Sequence, residues 1–362
     1  MSGRAAFRYV GLMLAACASA LLLVWLYVLY LPMAFLDDEY PRWTEKLEML
    51  DRCDIGEVLV LGDSRAAVAV APRQIKTPTA NLALAGSTSI EAYTVAERAM
   101  RCPIPPRRVI LSISLPQLVQ INTFWDKSVR YRLLGLPELW TLLDTARTLQ
   151  DFTAFTLDDR DGLPPSLKVL LHGTRFPSLY FNSLVQNGIF LRFRRNEGIL
   201  REVAAARGQY FFIGVPFDEA STVTLEARMP GLAPSPVIDA YMERLLDLLE
   251  RKGIPVDFLV MPVNENTGRH INPTLRAELD AYLHKLEQRH PLFHVLGNAI
   301  PSWPAAYFND PLAHFNIQGT SLFSGRLGKC LDDARSSTAA LASFPECGHV
   351  LDKPEVIPLR SP

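Results

Sequence analysis

Apolar and polar positions along the chain alternate between two kinds of segment: short, almost wholly apolar runs and longer stretches with apolar residues at helical spacing. The run "EVLVL" (57–61) predicts a buried strand, and the small residues of "SRAAVAVA" (64–71) predict a short helix after it. "ANLAL" (80–84) predicts a second strand, residues 89–101 a helix, and "RVILSI" (108–113) a third strand. Much later, "VIDAYMERLLDLLERKG" (237–253) has apolar residues at helical spacing and stops at Gly253, as a helix should. It leads into the strand-like "PVDFLVMP" (255–262). The next segment, 272–290, predicts a helix with Asn272 as cap and Pro273 at its first position. A strand at 292–296 and a helix over about 317–328 complete the series. Such alternation predicts an α/β fold, a parallel sheet with helices on both faces.

Residues 116–234 break this rhythm with mixed aromatics, Pro and Arg, and read as a largely helical insertion between the third and fourth strands. The tail, 331–362, reads as irregular. The expected organisation is therefore a stub and anchor over 1–36, a charged juxtamembrane linker over 37–56, a domain over 57–330, and that tail.

The anchor is read from "YVGLMLAACASALLLVWLYVLYL", residues 9–31, which carries no charge and is long enough as a helix to cross the roughly 30 Å hydrocarbon layer. Arg4 and Arg8 precede it; Asp37, Asp38 and Glu39 follow. The positive flank predicts a cytoplasmic N-terminus, and so a single-pass protein of the bacterial inner membrane with its domain in the periplasm. A cleaved signal peptide is the rival, and "LAAC" at Cys17 resembles a lipoprotein processing site, but the apolar run continues well past Cys17. Cysteine usage fits an oxidising compartment. Cys53 and Cys102 each lie just before an apolar run, so parallel strands there would bring them to one end of the sheet within bridging reach. Cys330 and Cys347 would then staple the tail; the alternative for all four is ordinary buried thiols. No CxxC pair occurs, so a zinc site is not expected.

The chain has 362 residues, 49% of them apolar, enough for a sizeable core, and a formal net charge of -1 without a long basic run. Nothing recommends a nucleic-acid partner. The chemistry concentrates in three places. Gly62-Asp63-Ser64 follows the first strand, where open parallel sheets collect their functional groups, and would put a Ser at the start of a helix. Gly86 in "NLALAGSTS" follows the second strand, with no side chain to keep its amide from a substrate. "YFNDPLAHFN" offers Asp310 and His314 just before the last helix, a carboxylate and a base of the kind a Ser nucleophile needs.

In these three blocks the chain resembles the SGNH, or GDSL-like, hydrolases, over about 57–114 and 255–328. The resemblance implies a three-layer α/β/α fold around a parallel five-stranded sheet in flavodoxin-like order. It implies Ser64 as nucleophile, His314 as base, Asp310 as its orienter, and the Ser64 and Gly86 amides as oxyanion donors. It implies no cofactor. The late block, Asp310-Pro-Leu-Ala-His314, is one residue longer than the family's D-x-x-H, and "SISLPQLVQINTF" lacks the family's Gly-x-Asn. Asn122 or Asn264 is a candidate for the missing donor, against a turn or cap role. Arg65 is a candidate for binding an anionic sugar or a carbonyl oxygen, against a solvated surface role. Asp63 is expected to cap the helix. His172, His270, His290 and His294 are expected to be structural or solvated.

The anchor and the insertion are more like the acyl-transfer branch of that superfamily, similar to the alginate O-acetylation proteins, the peptidoglycan O-acetyltransferase and the D-alanyl transfer protein of teichoic acid. The resemblance implies an acyltransferase passing an acyl group, with acetyl the expected one, through an acyl-serine to an exported or cell-surface polysaccharide beside a membrane-bound O-acyltransferase. The alternatives are a periplasmic carbohydrate esterase or deacetylase and a catalytically silent scaffold.

Overall fold

The computed structural model describes residues 3–121, 123–156, 162–215, 217–218, 222–298, 300–335 and 337–355. Among the described residues seven strands form: β1 (Val58–Gly62), β2 (Thr79–Asn81), β3 (Arg108–Ser112), β4 (Val256–Phe258), β5 (Val263–Asn264), β6 (Phe293–Val295) and β7 (Ser302–Trp303). Five of them build one parallel sheet in the order β2-β1-β3-β4-β6, while β5 and β7 pair separately. The main helices are α1 (Gly3–Tyr30), α2 (Glu39–Asp51), α3 (Ser64–Ala69), α4 (Ser89–Ala99), α5 (Leu136–Leu149), α6 (Phe193–Ala205), α7 (Pro236–Arg251), α8 (Pro273–Arg289) and α9 (Ile317–Asp333). α1 is apolar enough over Ala6–Tyr30, with a mean hydropathy of 2.4, to cross a membrane by length and composition.

Successive residues of a strand point to opposite faces, and β1 and β3 divide accordingly. Leu59, Leu61, Val109 and Leu111 join one core with apolar residues of α2, α4, α7 and α8. Val58, Val60 and Ile110 join a second core with Ala66 and Val68 of α3 and Phe323 and Leu327 of α9. Both faces are dry, which is why these strands read as continuous apolar runs rather than alternating ones. The insertion is largely helical, as its composition predicts, with α5 and α6 its longest helices.

The stretch after the anchor differs from its expectation as a linker. Residues 39–51 form α2, whose Tyr40, Trp43, Met49 and Leu50 are buried in the first core. Charged residues hid this, because two of them turn inward: the Lys46 amine donates to Ala83 O and lies 4.8 Å from the Tyr210 ring, and Glu45 binds Arg52 at 2.8 Å. Burial drives the Lys46 amine well below its ordinary range. Cys53–Cys102 is a disulfide, Cα to Cα 5.6 Å, fastening the end of α2 beside the end of α4. Cys330–Cys347 is the second, closing the tail onto α9. The tail, expected to be irregular, is partly helical, since α9 runs on to Asp333 and Leu341–Ser343 and Pro345–Gly348 each form a turn, and it is tied to the sheet. Arg108, ion-paired with Asp257, donates to Ser337 O and Ala339 O, and Asp257 accepts from the Leu341 amide at 2.8 Å.

Candidate active site

The nucleophile candidate begins with backbone geometry at the end of β1. Gly62 has φ +140°, and a Cβ there would fall 1.8 Å from Ser112 O on the neighbouring strand, so only Gly fits the turn. Asp63 follows, buried, with one carboxylate oxygen accepting from the Arg65 amide at 2.9 Å and the other from the Ser114 amide at 2.8 Å. It is the cap expected of it, and it also joins the ends of β1 and β3. At the other end of α3, Asn81 Nδ2 donates to Ala66 O and Val70 O at 2.9 and 2.8 Å. α9 supplies the third support: Ser324 Oγ accepts from the Ala71 amide and donates to Ala69 O, and Thr320 Oγ1 donates to Val68 O. A six-residue helix has little stability of its own. Here both its ends and one flank are hydrogen-bonded to three other segments.

That support leaves the Ser64 hydroxyl 2.8 Å from His314 Nε2, while His314 Nδ1 lies 2.6 Å from Asp310 Oδ2. A neutral imidazole protonated at Nδ1 satisfies both contacts: Nδ1–H donates to Asp310, and Ser64 Oγ–H donates to Nε2. The other Asp310 oxygen accepts from the Leu312 amide at 2.9 Å and the His314 amide at 3.2 Å. Burial alone would raise the Asp310 pKa. The hydrogen bonds from the His314 ring and from the His314 and Leu312 amides outweigh it and hold the carboxyl below its usual value. Between Asp310 and His314, Ala313 adopts φ +66°, a left-handed turn in the short loop that joins them. The Phe212 ring lies against the imidazole, centroids 4.5 Å apart.

These groups line one cleft of about 460 Å³, shared by Ser64, Gly86 and His314 with Arg42, Lys127 and Phe212. Gly86 lines the same cleft, with φ +78°, and a Cβ there would fall 2.3 Å from Thr123 Oγ1. Arg65 does not line the cleft. It is buried rather than solvated, ion-paired with Glu226 Oε1 at 2.7 Å and donating through Nε to Leu312 O at 3.1 Å. Its guanidinium points between elements, so it acts on the site through the Asp310–His314 loop. Burial of the pair disfavours both charges, yet each partner's charge prevails: Glu226 titrates below its ordinary value and Arg65 above. Asn264 does not line the cleft. It is the cap of the short helix Glu265–His270, accepting from the Thr267 amide at 2.7 Å, which is the turn role weighed against an oxyanion one. Asn122 lies outside the described residues.

Among the other histidines, His172 is packed on Trp125, and burial pulls it down to about 4. His270 Nδ1 lies 2.7 Å from Asn266 O, and His294 sits in β6 opposite Asp257 of β4. His290 is buried with its ring nitrogens 2.8 Å from Glu243 and 3.1 Å from Glu250. Sequence reasoning missed Glu226, Asn81, Arg42 and Phe212. None carries a local motif; each matters through a partner far along the chain.

Ser64, His314 and Asp310 thus stand in one row of hydrogen bonds at the carboxyl edge of the parallel sheet. No protein-family model matches the chain, and no curated protein matches it.

Proposed function

We propose that the chain is an extracytoplasmic acyltransferase of the SGNH type, a three-layer α/β/α domain held to the inner membrane by α1. The observation that carries the reading is the continuous relay Ser64–His314–Asp310, 2.8 and 2.6 Å between its members, in a cleft that also contains Gly86. His314 takes the Ser64 proton as Oγ attacks the carbonyl carbon of an acyl donor, and Asp310 holds the resulting imidazolium. The tetrahedral oxyanion is met by backbone amides at Ser64 and Gly86. As the C–X bond of the donor breaks, His314 returns the proton to the leaving group. A polysaccharide hydroxyl then gives its proton to His314, attacks the acyl-serine, and Ser64 leaves with the proton restored.

Two features support this over a silent scaffold. The extra residue of the late block, which could have separated Asp from His, leaves them in hydrogen-bond contact. The cleft also has a lining suited to a sugar ring: Phe212, Ile213 and Leu312 offer apolar surface, and Arg42, Lys127 and Asp38 offer polar groups. Retention of α1 is supported by its last turns, which are built into the domain: Val28 is buried, and Trp25 Nε1 donates to Thr174 O. A tether raises the effective concentration of Ser64 near a membrane-borne donor, a gain a freely diffusing esterase does not need.

The test is mass spectrometry of the protein after exposure to an activated acetyl ester. An acetyl group is expected on Ser64, absent in Ser64→Ala, with turnover reduced about 10³-fold or more. A fully active Ser64→Ala variant overturns the proposal. Release of free acetate from acetylated glycan without any acceptor would instead assign the esterase reaction to the same relay.

A further inference from the structure

We propose that the surface spanning Phe181 to Phe193 sits in the lipid interface, so that the domain rests on the bilayer. The inference goes beyond the catalytic reading and depends only on that reading's placement of α1 across a membrane.

It starts from where α1 touches the domain. Trp25 donates to Thr174 O and packs edge-on against Phe176, with ring centroids 5.6 Å apart. Tyr27 packs against Phe190, also at 5.6 Å, and its hydroxyl donates to Ile189 O. Arg132 donates to Val28 O and Leu29 O. Trp25 lies five residues before the end of α1, about 7.5 Å along the axis. Segments 174–176 and 189–190 therefore meet α1 inside its apolar run. If α1 spans, these segments stand at the depth where hydrocarbon gives way to headgroups.

At that level the domain turns apolar side chains outward. Phe181 and Val185, four residues apart on the helix Phe181–Asn187, share a face and are both exposed. Ile189, Phe190 and Leu191 continue the patch, Leu191 being 83% exposed. A water-soluble surface rarely gathers so many large apolar groups in one place. Aromatic and aliphatic side chains bordered by Arg are what the headgroup boundary favours, and Arg192, Arg194 and Arg195 follow at once in the chain. Lipid is the occupant the geometry favours over a partner protein, because the patch is continuous with an apolar helix that the rest of the protein leaves uncovered along most of its length.

The consequence reaches the cleft. Arg192 and Arg195 both bind Asp38, and Asp38 lines the cleft that holds Ser64. A domain seated on this patch opens its cleft next to the bilayer surface.

The experiment uses the full chain in vesicles of phosphatidylcholine and phosphatidylglycerol, with nitroxide labels read by collision with oxygen, which partitions into lipid, and with an aqueous nickel chelate. Cys17 is the one cysteine outside a disulfide, and a label there reports α1. Leu191→Cys and Lys252→Cys, each with Cys17→Ser, report the patch and the opposite edge of the sheet; both native side chains are exposed, so neither change removes packing. The labels at 17 and 191 are expected to be at least fivefold less accessible to nickel than the label at 252, and more accessible to oxygen. Nickel access at 191 equal to that at 252, with 17 sheltered, overturns the patch and leaves the anchor intact. Nickel access at 17 overturns the anchor itself and this inference with it. Shelter at 191 that appears only when a second membrane protein is added also overturns the lipid assignment.

Discussion

Asp310 is hydrogen-bonded to the His314 ring and to two backbone amides, and this environment makes an acid-stability prediction. Its folded pKa lies below the ordinary carboxylate value, so its ionised form stabilises the fold above about pH 4 to 5 and that contribution fades as pH falls through the unfolded and then the folded pKa. Urea midpoints between pH 3 and 6 are expected to fall less steeply for Asp310→Asn than for the parent. Gly86 offers a separate test of the oxyanion role. A Cβ there meets Thr123 Oγ1 at 2.3 Å, and the backbone has φ +78°, so Gly86→Ala must move the loop. Its kcat is expected to drop about 10²- to 10³-fold, the effect of a lost oxyanion donor, and a kcat within twofold of the parent would remove Gly86 from the site. Ser64, His314 and Asp310 were legible as candidates in the sequence because each stands in a short polar block at a strand or helix end, and the structure brings the three into contact. The role of Arg65 was not, since a charged residue in sequence reads as solvated until its partner is known.

Elements come together here through side chains that reach across long stretches of chain. Arg65 on α3 binds Glu226 in the turn Leu225–Arg228 of the insertion and the carbonyl of Leu312 in the histidine loop, so one guanidinium holds three segments in register. Removing one member of a buried pair leaves the other charge stranded. Glu226→Gln is expected to lower stability by about 3–5 kcal/mol, and the double variant Arg65→Met/Glu226→Leu to recover most of that loss. Equilibrium urea unfolding checks both; additive losses in the double variant would show that the two residues do not act as a pair. The strands and long helices were readable because both faces of the sheet are dry and the helices carry capped, amphipathic patterns. α2 was not, since its buried Lys46 and Glu45 gave it the composition of a linker.

At the scale of the whole molecule, two disulfides and α1 set what the domain is attached to. The Cys330–Cys347 bridge closes a separation of 17 residues and the Cys53–Cys102 bridge one of 49. Loop closure predicts losses of about 3 and 4 kcal/mol on their removal. Denaturant midpoints of Cys330→Ala/Cys347→Ala and Cys53→Ala/Cys102→Ala, compared under oxidising conditions, check the order. By itself the sequence determined the alternation of strands and helices, the span of the apolar N-terminal helix, the positions of the cysteines and the three chemical blocks, because each depends on residues close together in the chain. Tertiary structure alone decided that Ser64 meets His314, that Arg65 faces Glu226, that Asn264 caps a helix, and that α2 belongs to the core. Those outcomes depend on which distant residues share the space at the carboxyl edge of the sheet, and only packing assigns that.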